Sequence, residues 1–395
     1  MKLHNNTIRG VHTALEAIFE QGQYADKVIE RTLKSNPKWG AKDRSFIAET
    51  TYEMVRWWRL INFLSPSKDS WDLFGTYWLM QGNELPSWDE FARLQPEKIK
   101  SKYDSITDPG LLESIPEWLQ TLGSRELGEK WDAEIHALNE EAEVVLRVNT
   151  LKTTRERLKN LLEADGIRSY LVKGYPDALV LEERQNVFRH PSFKEGLFEV
   201  QDASSQLVAA ALQVEPGMRV IDACAGAGGK SLHLAALMGN KGKVISMDVE
   251  EWKLQQAKLR ARRNGVSIFE PKIIEGSKTI KRLKESADRL LLDVPCSGLG
   301  VLRRNPDTKW KLSPESIQKV QETQQEILQS YPSMLKKGGQ LVYATCSVLP
   351  SENEEQIKKF LASEAGKDFE LIEDRKVLAQ ESGFDGFYIA RLLKK

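Results

Sequence analysis

Residues 218–249 read MRVIDACAGAGGKSLHLAALMGNKGKVISMDV. A short apolar run closes at Asp222, and a glycine-rich loop follows. The apolar positions of SLHLAALM suit a helix, and KVISMD is a second apolar run that closes at Asp248. Strand, glycine loop, helix and strand in that order make one unit of a parallel sheet wound with helices. Glycines at such a turn let a ligand come close to the backbone. Two nucleotide-binding loops share parts of the pattern, and neither fits. The loop Gly-x-x-x-x-Gly-Lys-Ser needs glycine where Cys224 stands, and Gly-x-Gly-x-x-Gly needs it where Ser231 stands. Asp248 lies roughly 20 residues past the loop, where an acid meets the hydroxyls of a ribose. Taken alone, Asp248 reads equally well as a helix N-cap; beside the glycine loop, the ribose reading is favoured. Asp222 and Lys230 read as an ion pair, or Lys230 as the partner of a bound carboxylate.

Outward from this unit the alternation continues. DRLLLDVP (288–295) and GQLVYATCSV (339–348) are further apolar runs, each followed by a helical segment. The expected fold of 201–395 is therefore α/β, doubly wound and mostly parallel. Residues 141–200 differ: EVVLRVN reads as a strand, TTRERLKNLLEADG as a helix capped by Thr153 or Thr154 and ended by Gly166, and the rest as strands around turns. This is a small α+β module. Residues 1–140 read as all-α, with Val11, Leu15, Ile18 and Phe19 on one helical face and Ile47, Thr51, Val55 and Trp58 on another. Eight of the ten tryptophans fall here and read as core filling.

The 395 residues carry 57 basic and 57 acidic side chains. The zero hides an asymmetry: 1–143 holds 17 basic and 24 acidic residues, whereas 253–311 holds 15 basic and 6 acidic. A uniformly basic protein is excluded, but a local nucleic-acid footprint is not. Arg303, Arg304, Lys309 and Trp310 follow a Pro-Cys loop directly, where arginines suit phosphates and an aromatic ring can stack on an unpaired base. No stretch approaches the ~20 apolar residues of a membrane span. MKLHNNTIRG lacks an apolar signal core.

The three cysteines, Cys224, Cys296 and Cys346, form no Cys-x-x-Cys pair, so a zinc site and a disulfide framework are not expected. A reducing, cytoplasmic setting suits them. All three fall at carboxyl ends of expected strands, where open parallel sheets gather their ligands. Cysteines are often small buried hydrophobes. Two on strand-end loops of one sheet, one after Asp293-Val294-Pro295, suggest chemistry instead. A thiolate that adds to position 6 of a pyrimidine makes position 5 nucleophilic. A carboxyl group near ring nitrogen 3 stabilises the adduct, and Asp293 is placed in sequence to supply it. Spacing alone does not decide which cysteine attacks.

VQDASSQLVA (200–209), DACAGAGGKS (222–231), DVPCSGLGVLRRNPDTKW (293–310), LVYATCSVLPSENEEQI (341–357) and DGFYIARLLKK (385–395) resemble the Sun/RsmB family of S-adenosylmethionine-dependent RNA cytosine-5 methyltransferases. LRVNTLK (146–152) resembles the entry to that family's RNA-contacting module, and AKDRSFIAETTYEMVR (41–56) its NusB-like helical domain. The resemblance implies a class I Rossmann-like methyltransferase domain. It implies Cys346 as covalent nucleophile and Cys296 as the residue that assists product release. It implies a cofactor site formed by Cys224, Ala225, Gly226, Ala227, Gly228, Gly229, Lys230, Asp248 and Asp293, with Asp293 also reaching the cytosine. The family usually has Ala-Pro where this chain has Gly226-Ala227. Its acidic adenine contact after the third strand is replaced by Ser277, with Glu275 nearby. The expected partner is RNA, ribosomal RNA of the small subunit first, with no metal, no membrane and a monomeric chain. A DNA cytosine methyltransferase and a non-catalytic RNA-binding assembly factor are the alternatives.

Overall fold

A computed structural model describes residues 3–395; the first two residues of the N-terminal segment lie outside the described residues. The chain divides into two compact units, 1–140 with 302–313, and 141–301 with 314–395.

The first unit is helical. Its helices Asn5–Phe19, Ala25–Ser35 and Ala41–Arg56 bury the faces that their apolar spacing marks, among them Ile8, Val11, Ile18, Ile47 and Val55. The expected run through Trp58 is broken at Trp57, and a separate helix Trp58–Leu64 follows. Of the tryptophans, Trp39 and Trp131 are buried, while Trp57, Trp58, Trp71, Trp78 and Trp88 pack half-buried on the same core. At Gly123 any Cβ would lie 2.2 Å from the Trp131 indole, so that helix approaches Trp131 only as glycine.

The segment 302–313 corrects the sequence reading, which gave it to the catalytic domain and its side chains to RNA. It is built into the helical unit. The Trp310 indole N–H donates to the Val55 carbonyl at 2.7 Å, and its ring packs edge-on to Phe19. Asp307 accepts from the Ala25 N–H at 3.0 Å, and Arg56 donates to the Arg303 carbonyl. Lys309 is 0% exposed, with its ammonium on Asn139 Oδ1 at 3.2 Å; burial, with Arg56 adding to it, pushes it well below the usual lysine range. Arg303 is also buried, and Arg304 half-buried. Lys309 is thus an internal group of the helical unit, and Trp310 lies half-buried against its core with its indole N–H already bonded.

The second unit holds two sheets. The smaller is antiparallel, in the order β2-β3-β1-β4, with β1 Val145–Val148, β2 Ser169–Leu171, β3 Ala178–Leu181 and β4 Phe198–Val200. Its helix Arg155–Ala164 is capped by Thr154, whose hydroxyl accepts from the Arg157 N–H. The larger sheet comprises β5 Arg219–Asp222, β6 Lys243–Asp248, β7 Phe269–Ile273, β8 Ala287–Asp293, β9 Leu335–Thr345, β10 Phe369–Val377 and β11 Phe387–Lys394. Its order is β10-β11-β9-β8-β5-β6-β7. The strands from β7 to β9 pair in parallel, and a hairpin of β10 and β11 adds antiparallel to β9. The chain runs from β5 outward through β6 to β7, then returns to β8 on the other side of β5. That change of direction opens a crevice at the carboxyl ends of β5 and β8. No helix among the described residues is long and apolar enough to cross a membrane.

Replacing Trp310 by alanine removes packing from the helical core, so we expect a loss of about 3 kcal/mol in stability. Thermal unfolding checks this. A Trp310→Ala protein with an unchanged midpoint but weakened RNA binding would restore the stacking role.

Candidate active site

β5 ends at Asp222, and the loop 223–228 leads into the helix Gly229–Leu237. Gly226 and Gly228 have φ of +53° and +81°, a region that suits glycine. At Gly228 a Cβ would also lie 2.8 Å from that of Ala257, so the loop packs tightly on the helix Glu251–Asn264. The space at Gly226 is open. Asp248 ends β6 and is buried. One of its oxygens accepts from the Gly226 N–H at 2.8 Å, the other from the Glu250 N–H at 2.9 Å. It therefore ties the glycine loop to the start of the next helix, whose N-cap position is Glu250. Each oxygen keeps a lone pair for a hydroxyl. Ile274 donates to the Asp248 carbonyl, which brings the exposed Glu275 and Ser277 after β7 alongside that carboxylate's strand end.

The expected Asp222–Lys230 ion pair is not formed. Asp222 is fully buried and accepts from the Ser231 hydroxyl at 2.6 Å; Ser231 in turn accepts from Ser246. Burial, with Asp293 nearby, pushes the Asp222 carboxyl up to about 7. Lys230 reaches Asp293 instead, at 2.7 Å. Burial works against its charge, but Asp293 first, then Cys346 and Asp222, outweigh it and hold the ammonium above its ordinary value. The pair spans the crevice between β5 and β8.

Asp293 on β8 is in register with Ala344 on β9. The turns that follow carry Cys296 and Cys346, and their sulfurs lie 3.2 Å apart. Both thiols are free, as is Cys224. The bond to Cys346 and burial push the Cys296 thiol well up. Cys224 is pushed up by burial and by Asp222, Asp293 and Asp248 around it. The Gly300 N–H donates to the Cys346 carbonyl, and a Cβ at Gly300 would lie 2.1 Å from the Gly386 carbonyl oxygen, so the two cysteine turns are closely seated. Beneath them lies a carboxylate not singled out in the sequence, Glu352, bonded to the serines that follow each cysteine. Among the described residues no His, Cys, Asp and Glu group could hold a metal ion.

Comparison with known proteins agrees with this arrangement. Residues 209–393 match the family model of the 16S rRNA methyltransferase RsmB/F, and residues 115–188 match the ferredoxin-like domain of the same family. A protein of Synechocystis sp. described as a probable ribosomal RNA small subunit methyltransferase B is 32% identical over 96% of this chain and 97% of its own. The chain belongs to the RsmB/F family. The ribosomal RNA small subunit methyltransferase B of Escherichia coli is 36% identical over 71% of this chain and 66% of that protein. The solved structure of PH0851 covers 100% of both chains with a TM-score of 0.82 and 25% identity. As an RsmB/F member the chain is an S-adenosylmethionine-dependent methyltransferase, and the open glycine loop with Asp248 beside it fits that cofactor.

The small sheet is joined to the helices that carry this site. Arg147 on β1 donates to the Gly229 carbonyl and to Gln201. Glu199 on β4 is bonded by Arg260, Arg263 and Asn264 of the helix after β6. Those two arginines are thereby spent on an internal pair, so the 253–311 charge excess overstates the cation available to RNA. His233, on the helix after the loop, bonds Asp177 at 2.8 Å. Burial lowers the His233 imidazole to about 4, so at neutral pH it is uncharged and its Nε2–H donates to the carboxylate. In the unfolded chain it titrates near 6.5, so between 6.5 and about 4 the unfolded state binds the extra proton and stability falls with pH. The full loss is on the order of 3 kcal/mol. His233→Gln removes this slope. Unfolding midpoints from pH 7 to 4.5 check it, and a wild-type-minus-variant difference that does not change with pH refutes it.

Proposed function

We propose that this chain transfers a methyl group to carbon 5 of a cytosine in small-subunit ribosomal RNA, through a covalent cysteine–cytosine adduct. One observation carries the reading: two free sulfurs 3.2 Å apart, at the ends of neighbouring strands, beside a strand-end carboxylate paired to a half-buried lysine. The relatives' description as small-subunit ribosomal RNA methyltransferases supports the substrate.

Glycines 226, 228 and 229 with Cys224, Ala225, Ala227 and Lys230 would line the cofactor's amino-acid portion, Asp248 would take the ribose hydroxyls, and Ser277 or Glu275 would face the adenine. When bound, S-adenosylmethionine supplies a methyl group on a positively charged sulfur. The protein's own task is to make carbon 5 able to accept it. The family resemblance implies Cys346, in the Thr-Cys-Ser turn, as the attacking sulfur, and the Lys230 ammonium lies within electrostatic reach of it. The Cys346 sulfur adds to carbon 6, and Asp293 steadies the ring at nitrogen 3 or the amino group. Carbon 5 then takes the methyl group. A base then takes the proton from carbon 5, the carbon–hydrogen electron pair re-forms the 5,6 double bond, and the carbon 6–sulfur bond breaks to return Cys346 as a thiolate, with Cys296 beside the leaving sulfur to assist. The target base must leave its stack, at a cost of a few kcal/mol.

Cys346→Ala is expected to abolish methyl transfer, and Cys296→Ala to accumulate a covalent RNA–protein species. Radiolabelled transfer and denaturing gels with small-subunit RNA, beside a DNA control, measure both. If Cys346→Ala stays active and Cys296→Ala does not, the two roles are exchanged; labelling of DNA alone rejects the RNA reading.

A further inference from the structure

The reaction just proposed needs two sulfurs at one base, yet the two cysteines lie on turns 50 residues apart in sequence. One buried side chain reaches both turns. Glu352 sits in the short turn Pro350–Glu352 and is 0% exposed. One carboxylate oxygen accepts from the hydroxyls of Ser297 and Ser347, the residues directly after Cys296 and Cys346. The other accepts from the Ser297 backbone N–H at 2.8 Å and from Gln324 Nε2 at 3.1 Å. The same Gln324 nitrogen donates to the Pro295 carbonyl, the residue before Cys296. The backbone beside Glu352 is anchored in turn. Its carbonyl accepts from the Tyr343 hydroxyl at 2.7 Å, and the Asn353 amide donates to the Ser347 carbonyl at 2.9 Å.

We propose that Glu352 is a positioning residue that clamps the two cysteine turns at their working separation. The proposal rests on the reading that both cysteines act on one cytosine. Four neutral donors converge on two oxygens, and they come from both turns and from the helix Pro314–Ser330 behind them. A buried carboxylate without those donors would be costly, and the donors without the carboxylate would be unsatisfied. Each side therefore enforces the other. Leucine fills much the same space but accepts nothing, so Glu352→Leu leaves the two serine hydroxyls, the Ser297 N–H and the Gln324 amide without their shared partner. Glutamine is the conservative variant, since the serine hydroxyls can turn to accept from its amide while its oxygen keeps the Ser297 N–H and Gln324.

The test has one arm with RNA and one without. In the first, single-turnover methyl transfer by Glu352→Leu is compared with wild type and with Glu352→Gln, which should keep most of the rate, alongside binding of S-adenosylmethionine and of RNA. Misplacement by about 1 Å costs on the order of 100-fold, so we expect a loss of that size in rate with both affinities unchanged. In the second, diamide oxidises the two thiols to a disulfide, itself becoming the hydrazine. From 3.2 Å the sulfurs need to close by only about 1 Å, so the wild type should cross-link readily. Glu352→Leu should do so roughly tenfold more slowly. This arm reads the geometry alone, so failure of the cytosine reading and failure of the clamp are distinguishable. A folded Glu352→Leu variant that cross-links at the wild-type rate overturns the proposal, whatever its methylation. So does one that cross-links slowly yet methylates normally. Should Glu352→Leu not fold, Ser347→Ala removes one donor and is expected to shift both readouts the same way by less; no shift in either overturns the proposal.

Discussion

Asp293 on β8 pairs in register with Ala344 on β9, and this parallel pairing fixes where both cysteine turns begin. Parallel strands end on the same side of a sheet, so two turns that leave neighbouring strands at matched positions must start side by side. Residues 50 apart in sequence are thereby brought to sulfur–sulfur contact. A one-residue slip would send every side chain of β9 to the opposite face. Leu341 and Tyr343 pack in one hydrophobic cluster, and Val342 and Ala344 in another, so burial on both faces holds the register. The chemistry of the site is in this sense secured by apolar packing beneath it.

Charge is distributed at the crevice by burial. Of the two carboxyls at the ends of β5 and β8, Asp222 is sealed in with the Ser231 hydroxyl and is driven toward neutrality. Asp293 takes the lysine. A half-buried lysine between two carboxyls is costly if it serves neither well, and the direct pair with one alone is the cheaper arrangement. It holds the Lys230 ammonium at the strand end from which the Cys296 turn departs.

The strand–helix alternation, the glycine loop and the strand-end cysteines were legible in the sequence because each depends on local pattern: apolar runs of strand length, glycines at a turn, and the rule that ligands gather at carboxyl ends. What was not legible depended on distant partners. Lys230 and Asp222 are eight residues apart, yet the lysine's partner comes from a strand 63 residues away, across the change in chain direction. Arg303 to Trp310 carried every local mark of a nucleic-acid contact. Composition could not reveal that Val55, Ala25 and Asn139 wait for its polar groups. Glu352 looked like one more acid in SENEE, since nothing nearby in sequence announces four buried donors.

The small sheet offers the same lesson at the level of domains. Read along the chain it is a separate module, but its charged side chains face inward to the helices that follow β5 and β6. Arg147 holds the first residue of the helix after the cofactor loop, and His233, about one turn further on, holds Asp177. Glu199 gathers three donors from the helix after β6. These groups are buried, and pulling the sheet away would leave Arg147 and Glu199 without partners in a dry interior. The module and the methyltransferase sheet are accordingly one unit in the energetic sense.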